Sequence, residues 1–144
     1  TMVFDADGAM ILALREGNAL YRVVDGRISH LAGTGKFGYE GDGGPAVSAK
    51  LAGPKGLAVG PTGCIYLADT ESHTIRCLFP DGSIDTVLGD GTQHDGPDGD
   101  PRVCGLARPH GVHLDGENRL WVGDSDNHRI RCLPLGDDGR PVPI

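Results

Sequence analysis

Two histidines, His110 and His113, are the residues whose type and spacing could most readily hold a metal ion or transfer a proton. They lie in the stretch PHGVHL, and the similar stretch PKGLAV, 55 residues earlier, carries Lys55 and Ala58 in their places. The histidines are therefore specific to one of the two stretches. A catalytic zinc site takes about three protein ligands, so His110 is only a weak metal candidate.

Three aspartates could hold calcium, because closely spaced carboxylates suit a hard cation. Asp95, Asp98 and Asp100 have this spacing. The set differs from the EF-hand loop, and no Glu completes it. We therefore expect neither zinc nor calcium as a cofactor.

The four cysteines form no Cys-x-x-Cys pair and show no zinc-site spacing. Cys77 and Cys132 lie in equivalent stretches, which should place them too far apart for a disulfide bond. A bond between Cys64 and Cys77 stays open. The leading prediction is that all four, including Cys104, are free thiols that pack as small hydrophobic side chains.

One stretch of the chain occurs twice, which indicates a repeat architecture. Residues 65–78 read IYLADTESHTIRCL, and residues 120–133 read LWVGDSDNHRIRCL. A fainter third copy lies at the start of the chain, where residues 2–4 match residues 57–59. We therefore predict a single domain, 1–144, with units at about 1–35, 54–91 and 109–144, joined by long loops at 36–53 and 92–108.

Each unit is predicted to contain four short strands. Apolar, alternating runs are separated by turns rich in Gly, Pro and Asp, which is typical of antiparallel hairpins. In the second unit we place the strands near 57–60, 64–69, 74–79 and 83–88. No window has a convincing helical period, although residues 46–51 could form one turn. Tandem four-stranded antiparallel units predict an all-β fold, a β-propeller with about three blades.

The same residues resemble the NHL repeat. Its pattern is seen in Pro-x-Gly-apolar-x-apolar at residues 54–59, in the Ala-Asp-Thr-x-x-His-x-Ile-Arg run at residues 68–76, and in Gly-x-Ile-x-Thr-Val-x-Gly-x-Gly at residues 82–91. The linker Gly41-Asp42-Gly43-Gly44-Pro45-Ala46 is similar to the bacterial form of the repeat. The resemblance covers roughly residues 1–133 and implies a six-bladed propeller, of which this chain supplies about half.

A ring of blades cannot be closed by three units, because propellers need about four to eight. The two prolines in residues 140–144 also argue against a normal outer strand in the third unit. Exposed blade faces and sheet edges favour association. We therefore expect the chain to be an excerpt of a longer propeller, or else to close a ring with a second copy.

Residues that recur at the same place in two units are most simply part of blade construction. Four such pairs are Asp69 and Asp124, His73 and His128, Arg76 and Arg131, and Ile75 and Ile130. We expect the aspartates to accept backbone N–H bonds at a turn and the arginines to reach a turn carboxylate. The isoleucines are predicted to lie in the core.

The long loops should lie on the same propeller face as the turns at 70–73 and 125–128, around the mouth of the central channel. This face is where we expect a ligand or partner to bind. The candidate contact residues are Phe37, Tyr39, Glu40, Lys55, His94, Asp95 and His110. The leading prediction for function is therefore a binding or scaffold module.

A metal-dependent enzyme is the alternative prediction. The stretch around His110 is similar to peptidyl-α-hydroxyglycine amidating lyases, which are zinc propellers, and that resemblance implies His110 as a ligand at the channel mouth. Lys55 occupies the matching site in the second unit, and only His110 carries over. Sugar lactonases, which bind a divalent cation, are a similar possibility. The chain has no nucleophile elbow, His-Glu-x-x-His motif or phosphate loop, so an enzyme is the less favoured interpretation.

The net charge of −7 and the lack of a basic cluster argue against nucleic acid as a partner. The same charge argues against an anionic membrane surface. No apolar run approaches the roughly 20 residues of a membrane span, so no membrane insertion is expected. The compartment is not indicated by the residues themselves.

Overall fold

Alternating apolar residues and tight turns make each repeat unit a small antiparallel sheet. In the computed structural model, which describes residues 1–143, these sheets follow one another in chain order. The fold is all-β, a partial β-propeller with three blades, as predicted. The strands are β1 (Met2–Phe4), β2 (Met10–Leu14), β3 (Ala19–Val24) and β4 (Arg27–Ala32); β5 (Pro54–Val59), β6 (Ile65–Asp69), β7 (Thr74–Leu78) and β8 (Ile84–Leu88); and β9 (Val112–Leu114), β10 (Arg119–Asp124) and β11 (Arg129–Pro134).

The strand register repeats with the sequence. In blade two Tyr66 pairs with Cys77, and in blade three Trp121 pairs with Cys132. The first strand of blade two begins at Pro54, three residues earlier than predicted. It carries a register shift between Pro54 and Leu57, and such bulges redirect the side chains that they contain.

Three short 3₁₀ turns complete the secondary structure of the described residues, at Ala46–Ser48, Thr70–Ser72 and Ser125–Asn127. The first falls inside the single turn predicted at 46–51. The other two join the second and third strands of their blades, where the sequence pattern predicted only a plain turn. Each of these two ends on a left-handed residue, His73 with φ 60° and His128 with φ 55°.

The repeated aspartates tie each blade to the segment that precedes it. Asp69 and Asp124 are fully buried. The carboxylate of Asp69 accepts the N–H of Ala52 at 2.7 Å, and that of Asp124 accepts the N–H of Ala107 at 2.7 Å. The aspartates thus accept backbone N–H bonds, but from the preceding loops and not from the turns that follow them, where the prediction had placed these bonds.

The repeated arginines reach the same carboxylates, as predicted. Arg76 lies 3.3 Å from Asp69 and also 2.8 Å from Asp42 in the preceding long loop. Arg131 lies 2.8 Å from Asp124. Because a buried charge is costly unless it is paired, these contacts fix the long loops against the blades.

Two apolar cores fill the spaces between neighbouring blades. One packs blade one against blade two around Ile11, Leu51 and Leu67, and the other packs blade two against blade three around Ile75 and Leu106. Each core therefore needs a blade on both sides. Cys64, Cys77 and Cys104 are free thiols and are buried, as predicted. Cys132 is also a free thiol but is exposed, so the prediction that it packs as a hydrophobic side chain is wrong.

The prediction that both repeated isoleucines lie in the core is wrong for Ile130. Ile75 is 0% exposed, whereas Ile130 is 77% exposed. The two occupy equivalent positions, but Ile75 faces blade three and Ile130 faces away from the other blades. The sequence position thus sets the direction of the side chain, and the neighbouring blade decides whether it is buried.

The outer faces of the first and last blades are apolar and uncovered. Met2, Phe4 and Ile28 are exposed on blade one, and Trp121 and Ile130 on blade three. Blade three has three strands within residues 1–143, and the expected lack of a normal outer strand is confirmed there. No helix in the described part of the chain is long and apolar enough to cross a bilayer.

Candidate functional site

The innermost strands stand side by side, β1 next to β5 and β5 next to β9, on the side of the arc where a closed propeller has its central channel. The turns after the second strands lie at the end where β5 begins. Glu71 donates its N–H to the carbonyl of Ala52 at 2.9 Å, and Asp126 does the same to Ala107 at 3.0 Å. The ends of both long loops therefore reach the mouth of this channel, on the face where the sequence predicted binding.

A glycine brings two blades into contact at this mouth. The N–H of Gly56 donates to the carbonyl of His110 at 2.9 Å. A Cβ at position 56 would lie only 2.3 Å from that carbonyl oxygen, so no other residue fits without moving a blade. The bulge in β5 lies at the same place. Together they set Lys55 beside His110.

Lys55 and His110 are repeat equivalents on adjacent blades, and their side chains meet. Lys55 Nζ lies 3.3 Å from His110 Nε2. An ammonium group has only donors, so Nε2 accepts and the ring proton lies on Nδ1. Partial burial and the positive charges of Lys55 and Arg108 lower the pKa of His110 below its usual value. The imidazole is therefore neutral at neutral pH.

Lys55 differs from the other cations within residues 1–143 because it is partly buried and has no carboxylate partner. Nine of the 13 lysines and arginines form an ion pair. Within residues 1–143 the cations that form none are Arg27, Lys36, Arg102 and Lys55. The first three are exposed, whereas Lys55 is partly buried.

Charged residues that the sequence did not single out surround this pair. Glu71 is held by Arg108 at 2.8 Å and by Arg15 at 3.4 Å, and the hydrogen bond from Arg108 lowers the pKa of Glu71. Arg108 also lies 3.8 Å from Asp126. Arg108 could have been found from the sequence, because its counterpart in the preceding blade is Gly53 and the position is therefore specific to one blade.

An exposed aromatic residue stands beside these charges. Phe37 is 64% exposed and lines a shallow recess of about 290 Å³ with Arg15, Asn18, Gly53 and Glu71. Neither Lys55 nor His110 lines this recess, but Arg15 and Glu71 do, and both belong to the charged group around His110. The recess therefore adjoins that group. We call this surface the top mouth; its residues are Arg15, Phe37, Lys55, Glu71, Arg108 and His110.

Tyr39 and Glu40, two further candidates, hold the first long loop to blade two. The hydroxyl of Tyr39 lies 2.6 Å from that of Thr86, and the guanidinium of Arg76 lies 5.1 Å from the Tyr39 ring centre. Burial is the main reason that the pKa of Tyr39 is raised. Glu40 pairs with Lys50 at 3.3 Å. Within residues 1–143, neither residue bonds to Lys55 or His110.

His94 and Asp95, the last two candidates, lie in the second long loop. His94 contacts Asp90 at 2.8 Å, and Asp95 is held by Arg129 at 2.9 Å and by Arg131 at 2.6 Å. The hydrogen bond from Arg129 is the main cause that lowers the pKa of Asp95. The structure thus places these two residues against blade three, apart from the Lys55–His110 pair.

The geometry offers little support for a bound metal ion. Among residues 1–143 no three His, Cys, Asp or Glu side chains are grouped so that they could hold one. Asp95 and Asp98 both face Arg131, each at 2.6 Å, and a calcium ion would have to displace that cation. At His110 the lone pair that would ligate zinc faces an ammonium group.

A larger recess of about 650 Å³ opens at the opposite end of the channel. It is lined largely by turns, with Phe4, Val59 and Leu114 at the ends of the innermost strands. Asp115 on its wall is already bonded to Arg119 and Trp121, each at 2.8 Å. This recess has more room than the top mouth but no partly buried charge without a partner in the described chain.

Two family models match the chain. The teneurin NHL domain matches residues 35–107, about half of the chain. The NHL repeat matches residues 106–133. Together they cover the second and third blades and both long loops.

Curated relatives carry the same repeat. NHL repeat-containing protein 2 of Bos taurus is 33% identical over 96 residues, which are 59% of this chain and 13% of the relative. Teneurin-3 of Danio rerio is 38% identical over 88 residues, 60% of this chain and 3% of the relative. The chain therefore spans a small part of the length of these proteins.

Solved structures share the fold at low sequence identity. A protein of unknown function from Bacteroides thetaiotaomicron has a TM-score of 0.82 at 20% identity, over 91% of this chain and 34% of that one. An auxiliary nutrient binding protein from the same species has a TM-score of 0.78 at 22% identity, over 91% and 36%. A streptogramin B lyase has a TM-score of 0.58 at 17% identity, over 96% and 41%. The fold thus occurs in both binding proteins and enzymes.

Proposed function

The chain belongs to the NHL-repeat family of β-propeller proteins, and on that premise we propose that it forms part of a binding module whose ligand contacts the top mouth. The blades serve as a rigid support in this proposal. Their buried Asp–Arg pairs hold the long loops, and the loops frame the mouth. Binding sites on such scaffolds are commonly carried by loops.

The observation that carries the proposal is the Lys55–His110 pair. Its two residues occupy one repeat-equivalent position at which blades two and three differ, and they meet at 3.3 Å. Lys55 is partly buried and has no carboxylate partner within residues 1–143. Holding a charge in this state costs free energy unless something compensates, and a ligand could supply the compensation.

We propose further that additional blades of the same kind cover the two open faces. Inside the chain, the equivalents of these faces are buried by a neighbouring blade, as Ile75 shows. The solved propellers are also longer, since the chain matches only 34% and 36% of two of them. The occupant that fits an NHL blade face is therefore another NHL blade.

A metal-dependent enzyme receives less support. The likeness to the streptogramin B lyase extends to the fold, and a fold does not decide function. A metal ion at His110 would also lie next to the ammonium group of Lys55, and two positive charges a few ångströms apart repel each other.

The proposal is tested by mapping weak binders on the isotope-labelled chain by NMR. A set of small acidic, basic and neutral compounds is added, and backbone amide shifts are recorded. We expect saturable shifts at Gly53, Lys55 and Gly111, with little change at Thr62 and Gly116 on the opposite recess. Binders that map only to the opposite recess would show that the top mouth is not the binding surface.

A further inference from the structure

We infer that the ligand of the top mouth is a small organic acid whose carboxylate binds against Lys55 and His110, an inference that rests on the binding function proposed above. Its apolar part would lie over Phe37.

The arrangement of charges at the top mouth favours an anionic group at Lys55. Arg15 and Arg108 are already engaged by Glu71, and Asp126 and Glu16 lie beside them. Lys55 is the only one of these three cations that no carboxylate contacts within residues 1–143, although the three cations and three carboxylates balance in number. A single carboxylate matches this one unpaired ammonium group better than a doubly charged phosphate does. An ionised group that donates to a carboxylate also forms a stronger hydrogen bond than a neutral donor does.

The hydrogen-bond donors of Lys55 also favour a carboxylate. The ammonium of Lys55 has three donors, and one of them goes to His110 Nε2. The others have no protein partner in the described chain. A carboxylate has two acceptor oxygens and can take these donors without breaking the contact with His110. A neutral ligand with a single carbonyl oxygen has fewer acceptor atoms for these donors.

The surface next to the charged group favours a ligand with an apolar part. The recess beside this group is small, about 290 Å³, and has an exposed phenyl ring on its wall. Aromatic side chains give a large contact area at a small cost in side-chain entropy. The surface therefore suits an acid with a compact apolar or aromatic body.

The histidine makes the binding depend on pH. The groups that face His110 are the cations of Lys55, Arg108 and Arg15 and the carboxylate of Asp126. With burial, the cations outweigh Asp126 and keep the imidazole neutral near pH 7. A bound carboxylate opposes this effect and favours the imidazolium form, in which Nε2 carries a proton and no longer accepts from Lys55. Affinity should therefore rise as the pH falls through the titration of His110, and it should level off once the free protein is fully protonated there.

The test compares benzoate with benzamide, which has the same shape but no charge, on the full chain. Binding is followed by NMR shifts at Gly56, His110 and Gly111. We expect benzoate to bind about tenfold or more tightly, as one charged hydrogen bond would give. Between about pH 8 and pH 5, where carboxylic acids stay ionised, benzoate affinity should rise, and His110→Gln should remove the rise.

Matched variants identify the cation. Lys55→Met should weaken benzoate by about tenfold to a hundredfold, with an unchanged melting curve. Lys36→Met removes the same charge from an exposed site in the first long loop and should leave binding unchanged. Lys55→Arg keeps the charge and should retain most of the affinity. If Lys36→Met and Lys55→Met weakened benzoate binding equally, the effect would come from net charge alone, and the inference would be overturned.

Two outcomes separate this inference from the proposed function. If benzamide binds the top mouth as tightly as benzoate, the mouth binds ligands but does not select acids, and only the inference fails. If neither compound nor any other small molecule shifts the mouth amides, the binding function fails as well.

Discussion

At the scale of single residues, repeat equivalence separates the side chains that build a blade from those that are free to differ. Asp69 and Asp124 make the same backbone bond at the same distance. Lys55 and His110 occupy one equivalent position with two different chemistries, and Gly56 brings them together. The close approach at Gly56 is therefore the residue-level basis of the top mouth.

Gly56→Ala should destabilise the protein and separate Lys55 from His110. The added Cβ would lie 2.3 Å from the carbonyl of His110, and overpacking of this kind typically costs about 1–3 kcal/mol. Urea denaturation measures the free energy of unfolding, and benzoate titration reports on the mouth.

The equivalent glycine supplies the control. A Cβ at Gly111 would meet nothing within 4 Å, because no blade lies on that side. Gly111→Ala should change the stability by less than about 1 kcal/mol in either direction. Equal destabilisation by the two substitutions would mean that blades two and three do not approach each other as described.

At the scale of the blade, a face of a sheet is buried only where a neighbouring blade packs against it. Ile75 and Ile130 have the same place in the hairpin, the same register toward the second strand and opposite exposure. The second and third strands alone therefore cannot provide a stable core. Stability must fall toward the ends of the arc, as expected for repeats that interact mainly with their neighbours.

Ile75→Ala should cost about 2–5 kcal/mol, the usual range for removing a buried isoleucine side chain. Ile130→Ala should cost less than about 0.5 kcal/mol, since substitutions at exposed sites are usually within that range. Chemical denaturation of both variants measures the difference. A large loss for Ile130→Ala in the monomeric chain would place that residue in a core and contradict the described arrangement.

The blade architecture could be predicted because its signals lie within each unit or recur at a fixed spacing. Alternation, turn residues and the 55-residue spacing specify the strands and their pairing within residues 1–133. The exposure of Ile130 could not be predicted, because it depends on whether another blade is present. The Lys55–His110 contact depends on the angle between two blades, and the engagement of Tyr39 by Thr86 and Arg76 depends on how a long loop folds back. No local sequence pattern specifies any of these three features.

At the scale of the whole molecule, three blades form an open arc with an apolar face at each end. Phe4 and Ile28 mark one face, and Trp121 and Ile130 mark the other. Trp121 is the single tryptophan of the chain. It is 36% exposed and donates its indole N–H to Asp115 at 2.8 Å. Its fluorescence therefore reports directly on whether the blade-three face is covered.

Light scattering on a size-exclusion column, combined with tryptophan emission over a range of concentrations, shows whether the two end faces of the arc are open and apolar. The chain should elute near 15.0 kDa when dilute and should associate at higher concentration, with a parallel blue shift as Trp121 leaves water. Ile130→Asp places a charge on the same face and should keep the chain monomeric without loss of β-structure by circular dichroism. A wild-type chain that stays monomeric at every concentration, keeps its emission and binds no hydrophobic dye would contradict the open apolar faces on which this account rests.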